Sequence, residues 1–158
     1  MWQNQRGVNL LDSGAHFYDT YRTADGGYLS IGAIEPQFYA ELCEKMALDP
    51  NDFKHQQDPR RWLELKAKLA AVVATKTRDE WTELFADSDA CVAPVLDYKE
   101  ATRDPHMQAR EAYLELEGVT QPAPAPKFSR TPSQVTSGQA KRVAADDVIQ
   151  SWRHVSLS

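Results

Sequence analysis

The chain has 158 residues with a formal net charge of −5, and 42% of its residues are hydrophobic while 26% are charged. This length and composition predict one soluble domain, or one domain with an appendage. The negative charge argues against nucleic acid or an anionic membrane surface as the main partner. The sequence has no apolar run of transmembrane length and no basic, then hydrophobic N-terminal segment. Free thiols, which we expect for its two cysteines, suit a cytoplasmic protein.

Residues 17–39 predict a β-hairpin followed by a helix. Aromatic and β-branched residues fill both predicted strands, 17–23 and 28–34, and the Asp-Gly-Gly between them suits a tight turn. Pro36 then stands where the first position of a helix is expected. Glu35 therefore lies at a strand end and a helix start, where unpaired N–H groups and the helix dipole favour a carboxylate. Glu35 is either an acidic helix cap or a charged group at the edge of an active site.

Three helices are predicted between the hairpin and the next strand. The first runs from residue 36 to residue 47 and ends at the sequence 49–52 (DPND), which we expect to break it. The second begins with an aspartate cap and a first-turn proline at 58–59 and continues to about residue 76, with a stripe of apolar residues. The third follows a predicted capping box that begins at Thr77.

The rest of the chain predicts short elements. A buried strand over 90–96 carries Pro94, which suggests either an edge position or the end of the strand. Short helices follow Asp97 and Asp104, a strand is expected over 112–117, and proline geometry makes 121–126 extended. We therefore expect an α+β fold in which a small antiparallel β-sheet packs with helices.

The predicted organisation has three parts. Residues 1–130 form the small α+β domain, residues 131–144 are a linker that is poor in apolar side chains, and residues 145–158 contain a C-terminal helix. The composition shift at the linker and the return of apolar residues after it mark these boundaries.

A search for self-contained chemistry finds little. The sequence has no glycine-rich nucleotide loop, no phosphate loop and no nucleophile elbow, and no spacing joins its Ser, His and Asp residues into a triad. The four histidines show no metal-ligand spacing, so we expect no metal site. Cys43 and Cys91 are expected to be buried free thiols rather than a disulfide. His106 is expected to be exposed or to cap its helix.

Particular strings nevertheless resemble the α-methylacyl-CoA racemases, which are family III CoA transferases. Two of them are specific to the racemase group, and the others recur across the wider family. In chain order the strings are 9–18 (NLLDSGAHFY) with 20–26 (TYRTADG), 32–39 (GAIEPQFY), 91–96 (CVAPVL), 104–110 (DPHMQAR) and 124–131 (PAPKFSRT).

This resemblance implies that the chain is the small domain of a larger enzyme, with a tail that returns to the missing large domain. In such enzymes two subunits interlock, and each active site lies between the large domain of one and the small domain of the other. The large domain supplies a histidine and an aspartate as acid/base groups, and no segment of this chain matches their motifs. The resemblance therefore implies a homodimer. It implies no further cofactor, because coenzyme A enters as part of an acyl-CoA thioester substrate.

The resemblance also assigns a role to Glu35, because the family's small-domain glutamate lies in the GAIEPQFY motif. Racemisation next to a thioester removes a proton on one face and returns one on the other, which requires two acid/base groups. An ionised carboxylate can orient a facing histidine and favour its protonated form. We therefore expect Glu35 to orient a large-domain histidine of another subunit. The isolated chain is expected to be inactive.

Two other functions stay open. The first is CoA transfer between an acyl-CoA and a carboxylate within the same family; the absence of a glycine run near residues 12–15 and the intact 33–37 segment favour the racemase. However, racemases usually show Gly-Gly-Ala-Pro where this chain has residues 13–16 (SGAH). The second is a stand-alone, non-catalytic dimerisation or binding module, whose uncovered apolar faces would drive self-association.

Overall fold

A computed structural model describes residues 3–135 and 143–153 of the chain. The contacts divide the chain into two compact units, Met1–Val95 and Leu96–Ser158. Both contain antiparallel strands and helices, so the expected α+β class is confirmed. The expected three-part division stays a prediction, because residues 136–142 of the linker and 154–158 of the final helix lie outside the described residues.

The first unit is built on a three-stranded antiparallel sheet with the order β1-β2-β3. The hairpin strands are shorter than expected, and the third strand lies at the sheet edge, where Pro94 does not interrupt a central hydrogen-bond ladder. In the hairpin, Tyr21 pairs with Leu29 and both side chains are buried. The strands are β1 (Tyr18–Arg22), β2 (Tyr28–Gly32) and β3 (Val92–Val95).

Four helices complete this unit, and two of them differ from the sequence-based expectation. The helices are α1 (Pro36–Lys45), α2 (Pro50–Phe53), α3 (Trp62–Val73) and α4 (Arg78–Leu84). The first helix ends before 49–52 as expected, but these residues also form a helical turn of their own, because the Asp49 carboxylate accepts from the backbone N–H of Asn51 and starts the single turn of α2. The expected start of α3 at residue 59 is wrong: Asp58 forms a local turn with Arg60 instead.

Apolar side chains of the sheet and helices form one buried cluster. The indole of Trp62 lies at right angles to the ring of Phe17, with 6.0 Å between the ring centroids. Leu42, Leu65, Leu69 and other α-helical side chains fill the same core. Burying these side chains supplies the main driving force for folding of the unit.

Within the described residues, the second unit contains a two-stranded hairpin and three helices. The strands are β4 (Tyr113–Leu116) and β5 (Val119–Pro122), and the helices are α5 (Tyr98–Ala101), α6 (Pro105–Ala109) and α7 (Ala145–Arg153). Glu117 and Gly118 both have positive φ values, 53° and 76°, as a two-residue hairpin turn requires. The sequence predicted a strand over 112–117 and an extended segment over 121–126, but the prolines of the second segment concealed the pairing of the two. No helix among the described residues is long and apolar enough to span a membrane.

Candidate functional site

Glu35 lies at the N-cap position of α1, with a φ of −71° and a ψ of 141°. Although the backbone has cap geometry, the Glu35 side chain makes no capping hydrogen bond, and it is exposed. It also forms no hydrogen bond or ion pair with any described residue, whereas the cap residues Thr77, Asp97 and Asp104 each accept a backbone N–H. The capping interpretation of Glu35 is therefore wrong for its carboxylate, which is left for another partner.

The backbone around Glu35 is held on both sides. The Glu35 carbonyl accepts the first helical hydrogen bond of α1 from the Tyr39 N–H, at 3.0 Å. On the other side, the Gln56 side-chain amide donates to the carbonyls of Ala33 and Ile34, at 3.0 and 2.9 Å. Sequence reasoning missed Gln56, because a single glutamine in a loop carries no recognisable signal.

Three carboxylates, including that of Glu35, act on the Cys91 thiol. Burial and then the charges of Glu35, Asp89 and Glu41 raise the pKa of the exposed Cys91 thiol. The Glu41 carboxylate itself accepts from the backbone N–H of Asp89 at 3.1 Å. Cys91 has a φ of 54°, and its carbonyl accepts from the Gly32 N–H at 2.9 Å, which ties it to the end of β2. Such an acidic rim favours the protonated form of an approaching base.

The expectation of two buried thiols is wrong. Cys91 is exposed immediately before the edge strand β3, and Cys43 is only half-buried on α1. His106 is exposed at the start of α6, and exposure is one of the two alternatives that the sequence predicted. The described residues contain no group of three or more His, Cys, Asp or Glu side chains that could hold a metal ion.

An open groove of about 620 Å³ lies beside α1. Its walls are mainly apolar and include Pro36, the residue that follows Glu35, together with Tyr39, Phe53 and Gln56. The groove therefore extends to the start of α1, where Glu35 lies.

Beneath the groove, buried polar groups join the hairpin to α1 and α2. His16 is fully buried, and its Nε2 lies 2.7 Å from the Tyr39 hydroxyl, which donates to the Phe53 carbonyl at 3.0 Å. The hydroxyl of Tyr21 donates to the His16 carbonyl at 2.5 Å. This network is a second feature that the sequence analysis did not recognise; its only sequence signal is a histidine where the racemase pattern has proline.

Contacts within the loop before β1 account for several residues of the 9–18 string. The buried Asn9 side chain donates to the carbonyls of Gln3 and Gln5 and to the Asp12 carboxylate, which in turn accepts the Asn9 N–H. A Cβ added at Gly14 would lie 2.4 Å from the Asn9 carbonyl oxygen, so only glycine fits there. These residues shape the loop rather than supply acid/base chemistry.

Comparison with known proteins places this chain in a family. The family model described as CoA-transferase family III matches residues 1–142. The chain therefore belongs to the family III CoA-transferases, and the resemblance drawn from the sequence strings is confirmed.

Two curated relatives are α-methylacyl-CoA racemases. The chain is 45% identical to the Mus musculus protein over 159 residues, which cover 100% of this chain and 42% of the relative. It is 42% identical to the Homo sapiens protein over 134 residues, which cover 84% of this chain and 35% of the relative. The chain thus spans about two fifths of the length of these relatives.

Solved structures show the same fold. The crystal structure of Rv3272 from Mycobacterium tuberculosis matches with a TM-score of 0.62 and 25% identity, covering 76% of this chain and 34% of that one. A CaiB/BaiF family protein from Brucella suis matches with a TM-score of 0.61 and 19% identity, covering 85% of this chain and 37% of that one. The chain covers about a third of the length of each of these structures.

Proposed function

We propose that this chain is the small-domain portion of an α-methylacyl-CoA racemase-like isomerase. The complete enzyme interconverts (2R)- and (2S)-2-methylacyl-CoA thioesters by removing and returning the α-proton. The 45% identity to a named racemase over the whole chain supports this reaction class. The observation that carries the role of this chain is the uncapped, exposed carboxylate of Glu35 at the start of α1.

In this proposal Glu35 faces a histidine from the large domain of another subunit. A carboxylate beside an imidazole favours the imidazolium form and fixes its orientation. The imidazolium returns a proton to one face of the substrate carbon, and the neutral imidazole removes a proton from that face in the reverse direction. When the imidazolium donates its proton, a large-domain aspartate has removed the α-proton from the opposite face, so the substrate loses one proton and gains one. Proton exchange with solvent then returns the imidazole and the aspartate to their starting forms.

The negative rim of Glu41 and Asp89 near Glu35 supports a cationic neighbour rather than an anionic one. The substrate in this proposal is an acyl-CoA thioester, and coenzyme A forms part of it rather than acting as a separate cofactor. The partners are the family's large domain and a second copy of the complete subunit.

The first test replaces Glu35 with glutamine in the complete protein. Glu35→Gln removes the charge but keeps the shape, so we expect a tenfold or larger loss of α-proton exchange into deuterated water with a 2-methylacyl-CoA substrate. Glu83→Gln is the matched control, because Glu83 is an exposed carboxylate on α4. An unchanged rate in Glu35→Gln contradicts the assignment of Glu35.

A second test uses the 158-residue chain alone. We expect no α-proton exchange, because the two principal acid/base groups belong to the large domain in this proposal. Clear exchange by the chain alone contradicts the small-domain assignment. Transfer of coenzyme A to a carboxylate acceptor by the complete protein, without exchange at the α-carbon, instead supports the CoA-transferase alternative. The length of the encoding reading frame is the simplest accompanying measurement.

A further inference from the structure

Gln56 is the buried residue of an otherwise largely exposed loop, and it contacts the backbone that carries Glu35. Its side chain is 9% exposed, and its Nε2 lies 3.0 Å from the Ala33 carbonyl oxygen and 2.9 Å from that of Ile34. A primary amide has two N–H donors on one nitrogen, so a single side chain can serve both carbonyls. The backbone carbonyl of Gln56 accepts from the Trp62 indole at 2.9 Å, which anchors the loop in the core.

The two carbonyls lie where regular structure stops. The strand β2 ends at Gly32, and the Ile34 N–H turns back to the Gly32 carbonyl at 2.9 Å. The helix α1 does not begin until Pro36. Buried backbone carbonyls beyond the end of a sheet need a hydrogen-bond donor from elsewhere. At this junction the Gln56 side chain is that donor.

The Ile34 carbonyl belongs to the peptide group that joins Ile34 to Glu35. Gln56 therefore fixes the backbone of Glu35 on its N-terminal side, and the Tyr39 N–H fixes it on the C-terminal side. Because the Glu35 carboxylate makes no hydrogen bond of its own among the described residues, its position depends on this backbone.

We infer that Gln56 is a positioning residue for the Glu35 carboxylate in the racemase reaction. The inference rests on the proposed function, since it assigns Gln56 an effect on rate that passes through Glu35. A carboxylate that orients a proton-transfer group must be held closely, and a misplacement of about 1 Å can cost a hundredfold in rate.

The test is a double-mutant cycle in the complete protein with Gln56→Met and Glu35→Gln. Methionine has nearly the length of glutamine but no N–H donor, and the bond from Trp62 to the Gln56 backbone is not removed. We expect Gln56→Met to lower kcat for α-proton exchange about tenfold, while KM for the thioester changes less than about twofold. In the Glu35→Gln background the same substitution should change kcat less than about twofold, because the group through which it acts is gone.

Gln57→Met is the matched control, because Gln57 is the exposed neighbour in the same loop. We expect it to keep the kcat and KM of the unmodified protein. If Gln56→Met does not give folded protein, as judged by circular dichroism, Gln56→Asn enters the same cycle; it keeps the amide but is one methylene too short to reach both carbonyls.

The outcomes separate the two proposals. An unchanged kcat in the folded Gln56 variant, or equal losses with and without the Glu35 carboxylate, overturns the positioning role while a slow Glu35→Gln variant still supports the proposed function. An unchanged rate in Glu35→Gln overturns the role of Glu35, and the inference about Gln56 fails with it. A loss in Gln56→Met that disappears in the Glu35→Gln background supports both.

Discussion

The Nε2 atom of His16 lies 2.7 Å from the Tyr39 hydroxyl oxygen inside the core of the first unit. Tyr39 donates its own hydrogen to the Phe53 carbonyl, so it accepts from His16, and the proton of the neutral imidazole is on Nε2. The Nδ1 atom is then a buried acceptor without a partner among the described groups. A second proton on this ring would have no acceptor, and the site therefore favours the neutral form.

Stability should consequently fall in mild acid. Burial first, and the charge of Lys66 second, lower the pKa of His16 to about 4. Because the unfolded chain has an ordinary histidine pKa near 6.5, it binds more protons than the folded chain between pH 6.5 and pH 4. The contribution of neutral His16 is present above pH 6.5 and is lost as the pH falls, by about 2 kcal/mol at pH 5. Urea unfolding at pH 8 and pH 5 measures it.

Protonation of carboxylates also lowers the stability of the folded protein in acid. The comparison therefore uses the His16→Phe variant, which isolates the contribution of the histidine. Phenylalanine keeps an aromatic ring, and Tyr39 retains its bond to the Phe53 carbonyl. We expect the difference in unfolding free energy between pH 8 and pH 5 to be about 2 kcal/mol smaller in this variant. Equal differences in both proteins would contradict a buried neutral histidine.

The Tyr39 hydroxyl should contribute more to the free energy of unfolding than the exposed hydroxyl of Tyr28 in the hairpin. Tyr39→Phe leaves the His16 Nε2–H and the Phe53 carbonyl without a partner, and we expect it to cost about 1–3 kcal/mol. Tyr28→Phe is the control, because Tyr28 is 47% exposed; its change should stay within about 0.5 kcal/mol. Thermal or urea unfolding at pH 8 decides whether the two variants differ.

Two helix-cap residues should respond differently to substitution. Thr77 and Glu80 form a reciprocal capping box at α4, so Thr77→Ala should cost about 1 kcal/mol. Glu35→Gln should change stability by less than about 0.5 kcal/mol, because the Glu35 side chain makes no capping bond. Unfolding measurements on both variants test this contrast. A loss of about 1 kcal/mol in Glu35→Gln would mean that Glu35 is mainly a structural cap.

The exposed thiol of Cys91 should report on the charge of Glu35. Glu35 is among the groups that raise the pKa of Cys91, so Glu35→Gln should lower that pKa and increase the thiolate fraction at pH 8. We expect faster alkylation of Cys91 by iodoacetamide, measured by peptide mass spectrometry, with Glu83→Gln as the control. The half-buried Cys43, whose pKa burial also raises, should react more slowly. An unchanged Cys91 rate would contradict the influence of Glu35.

Local chemistry made much of this fold predictable. The Asp25-Gly26-Gly27 turn between β-prone segments gave the hairpin, and the Thr77 capping box gave the start of α4. At 49–52 the same rule gives two outcomes, because the aspartate followed by a proline comes after the end of α1 and also begins the helical turn of α2. Cap signals indicate where a turn starts, but they do not determine how far the helix continues.

The amino-acid sequence by itself determined the α+β class and the family resemblance, and it predicted Glu35 as the site residue, because these depend on short strings and neighbouring residues. Only the tertiary structure showed that Glu35 lacks a capping bond, that Gln56 supports its backbone, and that His16 meets Tyr39 in the core. Each of these relationships joins residues about twenty positions apart, or concerns a hydrogen bond that the side chain does not form. Such facts arise when packing brings distant segments together, and no local pattern of residues encodes them.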